Sequence, residues 1–188
     1  PFMAIAPSQS STAAQVGAKA HGRIAVASGK GGVGKTWFAI TLAHALANKG
    51  KKALLFDGDL GLPNVDIQLG LMPKHDLGGV VAGRLPLNQA AMTYEDGGFD
   101  IIAGRSGSGN LSNIPANRLQ SLNEGLTMLS SSYDHIIFDL GAGVERTVRN
   151  LANQAETVLV ITTDEPTALT DAYAFIKLTH MERPNIDL

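Results

Sequence analysis

Residues 23–48 read RIAVASGKGGVGKTWFAITLAHALAN, and the stretch at 29–36, GKGGVGKT, decides the fold. This stretch matches the pattern G-x-x-x-x-G-K-[S/T] in full. The apolar run directly before it predicts a buried strand at 23–28, and apolar residues at helical spacing predict a helix over 35–48. Glycines between a strand and a helix let successive backbone N–H groups approach an anion at the helix N-terminus. The sequence therefore predicts a phosphate-binding loop.

The rest of the chain repeats the alternation of strand and helix. Further strands are predicted at 52–57, 99–103, 133–140 and 156–163, and further helices at 77–82, 116–130, 144–152 and 167–180. Such alternation predicts an α/β fold of the P-loop NTPase class, with a mostly parallel twisted sheet and helices on both faces. Ligands of these sheets bind at the carboxyl ends of the strands.

The side chains of the glycine loop suit a nucleoside triphosphate with Mg²⁺. Lys35 supplies a positive charge between the β- and γ-phosphates, and the Thr36 hydroxyl can ligate Mg²⁺. A glycine-rich turn with an incidental lysine is the alternative interpretation. We expect nucleotide contacts from the whole segment, that is from Gly29, Lys30, Gly31, Gly32, Val33, Gly34, Lys35, Thr36 and Trp37.

An acidic motif, FDGDLGLPNVD at 56–66, follows the second predicted strand. Asp57 and Asp59 are two residues apart, and in an extended chain this spacing directs both carboxylates to one side. Such a pair suits the binding of a metal ion or a water molecule. An ordinary polar turn is the alternative interpretation.

A second acidic motif, HIIFDLGAG at 135–143, is an apolar strand that ends in Asp139. This is the Walker B form, in which a rigid strand presents a carboxylate to the hydration shell of Mg²⁺. We therefore expect Thr36, Asp57 and Asp139 around the metal ion. Gly141 and Gly143 would give the following loop freedom to respond to the γ-phosphate. The alternative is a strand-end aspartate that caps the next helix.

The segment 30–36, KGGVGKT, resembles the signature of the deviant Walker A ATPases of the MinD and ParA family. The resemblance implies that the chain binds ATP with Mg²⁺ and hydrolyses it within a homodimer that sandwiches the nucleotides. It also implies that Lys30 reaches the nucleotide of the partner subunit, that Asp59 orients the attacking water, and that Asp57 helps to hold the Mg²⁺ shell. A solvated surface lysine is the alternative interpretation of Lys30.

Two longer stretches, DGDLGLPNVDIQLGL at 57–71 and TTDEPTALTDAYAFIK at 162–177, resemble the FlhG/FleN flagellar-number branch of that family. The resemblance covers residues 22–188. It implies control of flagellum number, with an SRP-type GTPase and a flagellar transcription regulator as partners. It also implies a cytoplasmic protein that contacts the inner membrane or cell pole peripherally, through a segment outside this sequence.

The amino-acid composition limits the kinds of binding site and partner that the chain can have. The chain has 188 residues and no cysteine, so disulfides and zinc–thiolate sites are excluded. Its net charge of -2 gives no basic footprint, and we expect no specific nucleic-acid partner. Its five histidines are scattered without metal-ligand spacing. Residues 1–21 read as a flexible leader, and we expect a MinD-like ATPase domain over 22–188 that continues beyond this sequence.

Two functions are compatible with these motifs. The first is an ATP-hydrolysing dimeric switch, with Lys30 and Asp59 as its catalytic residues. The second is a nucleotide-dependent scaffold or positioning protein with little turnover, of the pilus-assembly, division-site or partition type. The presence of Lys30, Lys35, Asp59 and Asp139 together favours hydrolysis.

Overall fold

The computed structural model describes residues 22–104 and 114–188, in which strands and helices alternate. The strands are β1 Gly22–Ser28, β2 Ala53–Gly58, β3 Ala91–Tyr94, β4 Phe99–Ile102, β5 His135–Ala142 and β6 Thr157–Val160. The helices are α1 Lys35–Asn48, α2 Val65–Gln68, α3 Leu77–Val81, α4 Ala116–Ser130, α5 Arg146–Ala152 and α6 Pro166–Glu182, with a 3₁₀ turn at Leu87–Gln89. The leader predicted at 1–21 lies outside the described residues and stays a prediction.

The strands form one sheet in the order β3-β4-β2-β5-β1-β6. All neighbours are parallel except β3, which runs antiparallel to β4 at the edge. The parallel strands therefore bring their carboxyl ends to one edge of the sheet. In the register of β2 with β5, Asp57 lies directly opposite Asp139. The predicted mostly parallel sheet is confirmed.

Successive side chains of the central strands pack into two different apolar layers, one on each face of the sheet. Leu54 and Phe56 of β2 belong to one core cluster, which also contains residues of α3, α4, α5 and α6. Leu55, between them, belongs to a second cluster with Ala39 and Ala43 of α1. Since successive side chains of a strand point to opposite faces, the sheet is covered on both sides, as predicted.

An aromatic pair packs close to the acidic residues of the sheet centre. The rings of Phe56 and Phe138 meet edge to face with centroids 5.7 Å apart, and both side chains are fully buried. Each phenylalanine directly precedes one of the two aspartates, Asp57 and Asp139. Truncating such a buried ring typically costs about 3–5 kcal/mol of stability. The pair therefore fixes the backbone from which both carboxylates project.

The antiparallel edge strand β3 was not among the predicted strands. Its four residues, AMTY, are too few to establish an alternating pattern. A tight turn at 95–98 with Gly98 at φ 69° joins it to β4 and makes the hairpin. The short helix α2 was also absent from the predicted elements, because four residues carry no helical period.

Strand β5 begins and ends two residues later than predicted. The prediction that the strand ends in Asp139 is therefore wrong, because Leu140 still pairs with Gly58 and Ala142 with Ser28. Asp139 consequently projects from the interior of a strand held on both sides. Within the described residues, no helix combines the length and apolar character needed to cross a bilayer.

Candidate nucleotide-binding site

The glycine loop between β1 and α1 opens towards a cavity. Gly32 and Gly34 adopt φ of 79° and 91°, a region where other residues are strained by about 1–3 kcal/mol. Gly34 is also the residue from which α1 starts. A Cβ added at Gly31, Gly32 or Gly34 would meet no atom within 4 Å. The loop therefore needs glycine for its backbone shape, and it leaves its inner side open for an anion.

Gly29 has a different role, because it lies directly against helix α6. A Cβ at this position would come within 2.1 Å of the backbone carbon of Asp171 and 2.5 Å of the backbone nitrogen of Ala172. Backbone atoms cannot move aside as a flexible side chain could. Glycine at 29 therefore permits the close packing of the loop on α6.

Lys35 and Asp139 form a buried ion pair at the base of the loop. The Lys35 Nζ lies 3.3 Å from Asp139 Oδ1, and the two residues are 8% and 0% exposed. Burial raises the pKa of the Asp139 carboxyl, whereas the Lys35 ammonium and a hydrogen bond from Thr36 lower it. Asp139 Oδ2 is buried and has no hydrogen-bond partner among residues 22–104 and 114–188. A buried, unsatisfied carboxylate oxygen beside Thr36 is suited to an additional cationic or protic ligand.

Asp57 is held by backbone amides instead of a cation. Its carboxylate accepts hydrogen bonds from the backbone N–H groups of Asp59, Asn64 and Val65, at 3.2 to 3.3 Å. Burial, followed by the nearby Asp139 charge, raises the pKa of Asp57 to about 7. The residue is fully buried and does not line the cavity.

Asp59 is the acidic residue of this motif that reaches the cavity wall. Its Oδ1 accepts hydrogen bonds from the backbone N–H groups of Gly61 and Leu62, at 3.3 and 3.0 Å. A Cβ added at Gly141 would lie 3.3 Å from the same oxygen. Gly141 therefore leaves space beside the Asp59 carboxylate that a larger residue would reduce.

The cavity itself has a volume of about 750 Å³, within the range of small-molecule sites. Lys35, Thr36 and glycines of the loop line it, together with Asp59 of the segment after β2 and Gly141 of β5. The further lining residues, which the sequence did not single out, include Ser28, Leu62, Asn64, Gln68, Glu145, Thr147 and Val148. They lie at the end of β1 and in the segments that follow β2 and β5, so no local pattern could group them.

Lys30 does not line this cavity. Its Nζ donates a hydrogen bond to Glu165 Oε2 at 2.5 Å and lies 3.4 Å from Thr167 Oγ1. The Lys30 ammonium lowers the pKa of the Glu165 carboxyl. Both side chains are substantially exposed, at 41% and 60%. The lysine therefore lies outside its own loop's cavity, held by residues around the start of α6.

Of the predicted nucleotide contacts, the structure places Gly31, Gly32, Gly34, Lys35, Thr36 and Trp37 on the cavity wall. Gly29, Lys30 and Val33 do not line it. Glu165 and Thr167, which contact Lys30, were not predicted. Their sequence separation of more than 130 residues from Lys30 leaves no signal in a single sequence.

The residues fit a Mg²⁺ ion that accompanies a phosphate. Across 22–104 and 114–188, no three acidic or histidine side chains gather into a metal site of their own. Mg²⁺ usually keeps several waters and binds through one or two carboxylates together with substrate phosphates. The unsatisfied Asp139 oxygen and the neighbouring Thr36 hydroxyl match that requirement.

Comparisons with known proteins agree with this arrangement. Residues 24–181 match the family described as CobQ/CobB/MinD/ParA nucleotide binding domain. The chain is 40% identical over 159 residues to antiactivator FleN of Pseudomonas aeruginosa, covering 85% of this chain and 56% of FleN. It is 36% identical over 166 residues to flagellum site-determining protein YlxH of Helicobacter pylori, covering 88% and 56% respectively.

Among solved structures, the septum site-determining protein MinD of Pyrococcus horikoshii, complexed with Mg-ADP, matches with a TM-score of 0.73 at 26% identity. The match covers 88% of this chain and 67% of that structure. It confirms the predicted fold class, and the two flagellar relatives confirm the resemblance to the FlhG/FleN branch. The chain spans just over half the length of these two relatives. It belongs to the CobQ/CobB/MinD/ParA nucleotide binding domain family.

Proposed function

We propose that this chain is the nucleotide-binding part of an ATP-hydrolysing dimeric switch that controls the number or placement of flagella. The observation that carries the proposal is that the glycine loop, Lys35, Thr36 and Asp59 line the same cavity. Phosphoryl transfer needs a cradle for the phosphates and a group that positions the nucleophile. This cavity offers both.

Different residues of the site would bind the phosphates, hold Mg²⁺ and position the water. The loop amides and the Lys35 ammonium would hold the negative phosphate tail of ATP. Thr36 and Asp139 would hold Mg²⁺, which neutralises phosphate charge when bound. Asp57 would fix the backbone of residues 59–65 beside the cavity, because its carboxylate accepts hydrogen bonds from three N–H groups of this segment. Asp59 would accept a hydrogen bond from the attacking water and orient it towards the terminal phosphate.

Lys30 supports the dimeric part of the proposal. It lies outside its own cavity, on the surface, and its ion pair with Glu165 is exposed. Exposed ion pairs contribute little free energy and are easily exchanged for another anion. A second copy of the chain with bound ATP would offer such an anion. Lys30 would then deliver its charge in trans, as an arginine finger does.

The flagellar role rests on the relatives. FleN is named an antiactivator and YlxH a flagellum site-determining protein. We extend such a role to this chain, with an SRP-type GTPase and a flagellar transcription regulator as expected partners. We also expect peripheral contact with the inner membrane or cell pole.

Substitution of Asp59 separates an ATPase from a scaffold. Because Asp59 would orient water and bind no phosphate, Asp59→Ala should bind Mg²⁺-ATP with wild-type affinity. Its turnover should fall by about 10²-fold or more. Phosphate release and calorimetric ATP binding by the full-length protein measure the two quantities, with Lys35→Ala as the binding-deficient control.

Three outcomes are informative. A wild type that binds ATP and releases no phosphate would favour the scaffold. A wild type that binds no ATP would reject the proposal. If Asp59→Ala lost ATP affinity together with turnover, Asp59 would be a binding residue and the catalytic carboxylate would have to be sought elsewhere.

A further inference from the structure

We propose that Trp37 forms a stacking surface for the base of the bound nucleotide; this inference rests on the proposed function. Trp37 is the only tryptophan of the chain. It follows Lys35 and Thr36 directly in the first turn of α1 and lines the same cavity. Its side chain is 68% exposed, whereas Lys35 and Thr36 are each 8% exposed. A large aromatic ring at the cavity wall therefore remains open to a ligand.

An exposed tryptophan in a cavity is costly to leave in water. Trp has a large apolar area, and small-molecule sites are generally lined by aromatic and apolar side chains. Leu62, 79% exposed, also lines the cavity, as do Leu60 and Val148, so the wall has an apolar part beside its polar groups. Within the described residues, Trp37 is the only aromatic residue among those lining it.

The chemistry of the ligand points to the base. The glycine loop, Lys35 and Thr36 provide for the phosphates and Mg²⁺, and none of them provides a flat apolar contact. Ligand sites in proteins combine a few polar groups with aromatic or apolar walls. A nucleobase has a π face, and aromatic side chains stack on it with little preference among bases. A concave wall also suits a small ligand better than it suits a second protein.

The proposal predicts a difference between ATP and a phosphate chain without a base. Calorimetry with Mg²⁺-ATP and with Mg²⁺-tripolyphosphate would be performed on the full-length wild type, Trp37→Phe and Trp37→Ala. We expect Trp37→Ala to bind ATP roughly tenfold more weakly, as expected for the loss of one stacked ring. Trp37→Phe should retain most of the affinity, and tripolyphosphate should bind all three proteins equally.

Tyr173→Ala is a matched control, because Tyr173 is an aromatic residue of similar exposure, 65%, on α6 and does not line the cavity. It should bind both ligands as the wild type does. Tryptophan fluorescence provides a second readout, because the difference in emission between the wild type and Trp37→Phe reports on Trp37. ATP should change the emission of the wild type at protein concentrations where it is monomeric, and tripolyphosphate should not.

Three results would overturn the inference. If Trp37→Ala weakened the binding of ATP and of tripolyphosphate equally, the ring would stabilise the phosphate loop and would not contact the base. Unchanged ATP affinity would remove it from the site. A fluorescence change that appears only at concentrations where the protein dimerises would assign Trp37 to a contact between copies. Failure of the wild type to bind either ligand would instead reject the proposed function.

Discussion

Two buried carboxylates lie opposite each other in neighbouring strands and differ in their surroundings. Asp139 faces the Lys35 ammonium, whereas Asp57 is surrounded by backbone N–H groups and the negative charge of Asp139. Amide dipoles compensate a buried charge less completely than a cation does. The pKa of Asp57 is consequently raised to about 7, and the carboxyl holds a proton well above its usual range.

This difference makes a prediction about stability and pH. The unfolded chain releases the Asp57 proton near pH 4, whereas the folded protein holds it until about pH 7. Between these values the unfolded state binds fewer protons, so the contribution of Asp57 to stability is present below pH 4 and is lost as the pH rises to about 7. Asp57→Asn removes that loss. The free energy of unfolding of Asp57→Asn minus that of the wild type should therefore increase with pH, by about 1 kcal/mol per pH unit between pH 5 and 7.

Urea unfolding of both proteins without nucleotide, at a series of pH values, measures this difference. The asparagine leaves one carbonyl oxygen for three backbone donors, so a constant penalty is also expected. Only the slope of the difference against pH is informative. Two curves that stay parallel from pH 5 to 8 would contradict the raised pKa of Asp57.

Helix α6 connects the glycine loop with a distant part of the chain. Gly29 packs on its backbone, and Glu165 and Thr167 at its start hold Lys30. The first turn of α6 begins with Pro166. Proline is common at this position, because a backbone N–H there would have no partner within the helix. The start of the helix thereby holds Lys30 in a position away from the cavity.

Loss of the contact with Glu165 should favour dimerisation. If Lys30 must leave Glu165 before it can act in trans, Glu165→Gln frees the lysine in advance. The ATP-dependent dimer should then form at a protein concentration lower by a few-fold, with thermal stability unchanged because the pair is exposed. Light scattering with ATP over a concentration series is the measurement.

Glu182→Gln is the matched control, since Glu182 belongs to the same helix and forms an exposed ion pair with Arg149. It should not change dimerisation. Identical dimerisation of Glu165→Gln and wild type would show that the contact with Lys30 does not restrain the switch.

The same helix shows where sequence-based prediction reaches its limit. The strand, loop and helix around 29–36 could be predicted because each element has a local period or motif, and Lys35, Thr36 and Asp59 accordingly lie at the cavity. The position of Lys30 could not be predicted, because Glu165 comes beside it only through the β1–β6 pairing. The burial of Asp57 away from the cavity likewise depends on the loop that folds back over it at Asn64.

As a whole, the molecule presents its phosphate loop, Asp59 and Lys30 at the carboxyl edge of the sheet. Each chain would contribute Asp59 to its own nucleotide and Lys30 to the other nucleotide. Hydrolysis would then require the dimer, because one copy alone would lack the Lys30 charge at its nucleotide. This dependence on two copies is what would make the protein a switch.

ATP turnover by a mixture of Lys30→Ala and Asp59→Ala proteins tests this division most directly. Both variants should bind ATP, and each alone should be nearly inactive. When they are mixed in equal amounts before ATP is added, half of the dimers should be mixed dimers. Each mixed dimer has one complete site, so turnover should recover to roughly a quarter of the wild-type rate. A mixture no faster than the mean of its two parents, beside an active wild type, would contradict the action of Lys30 in trans.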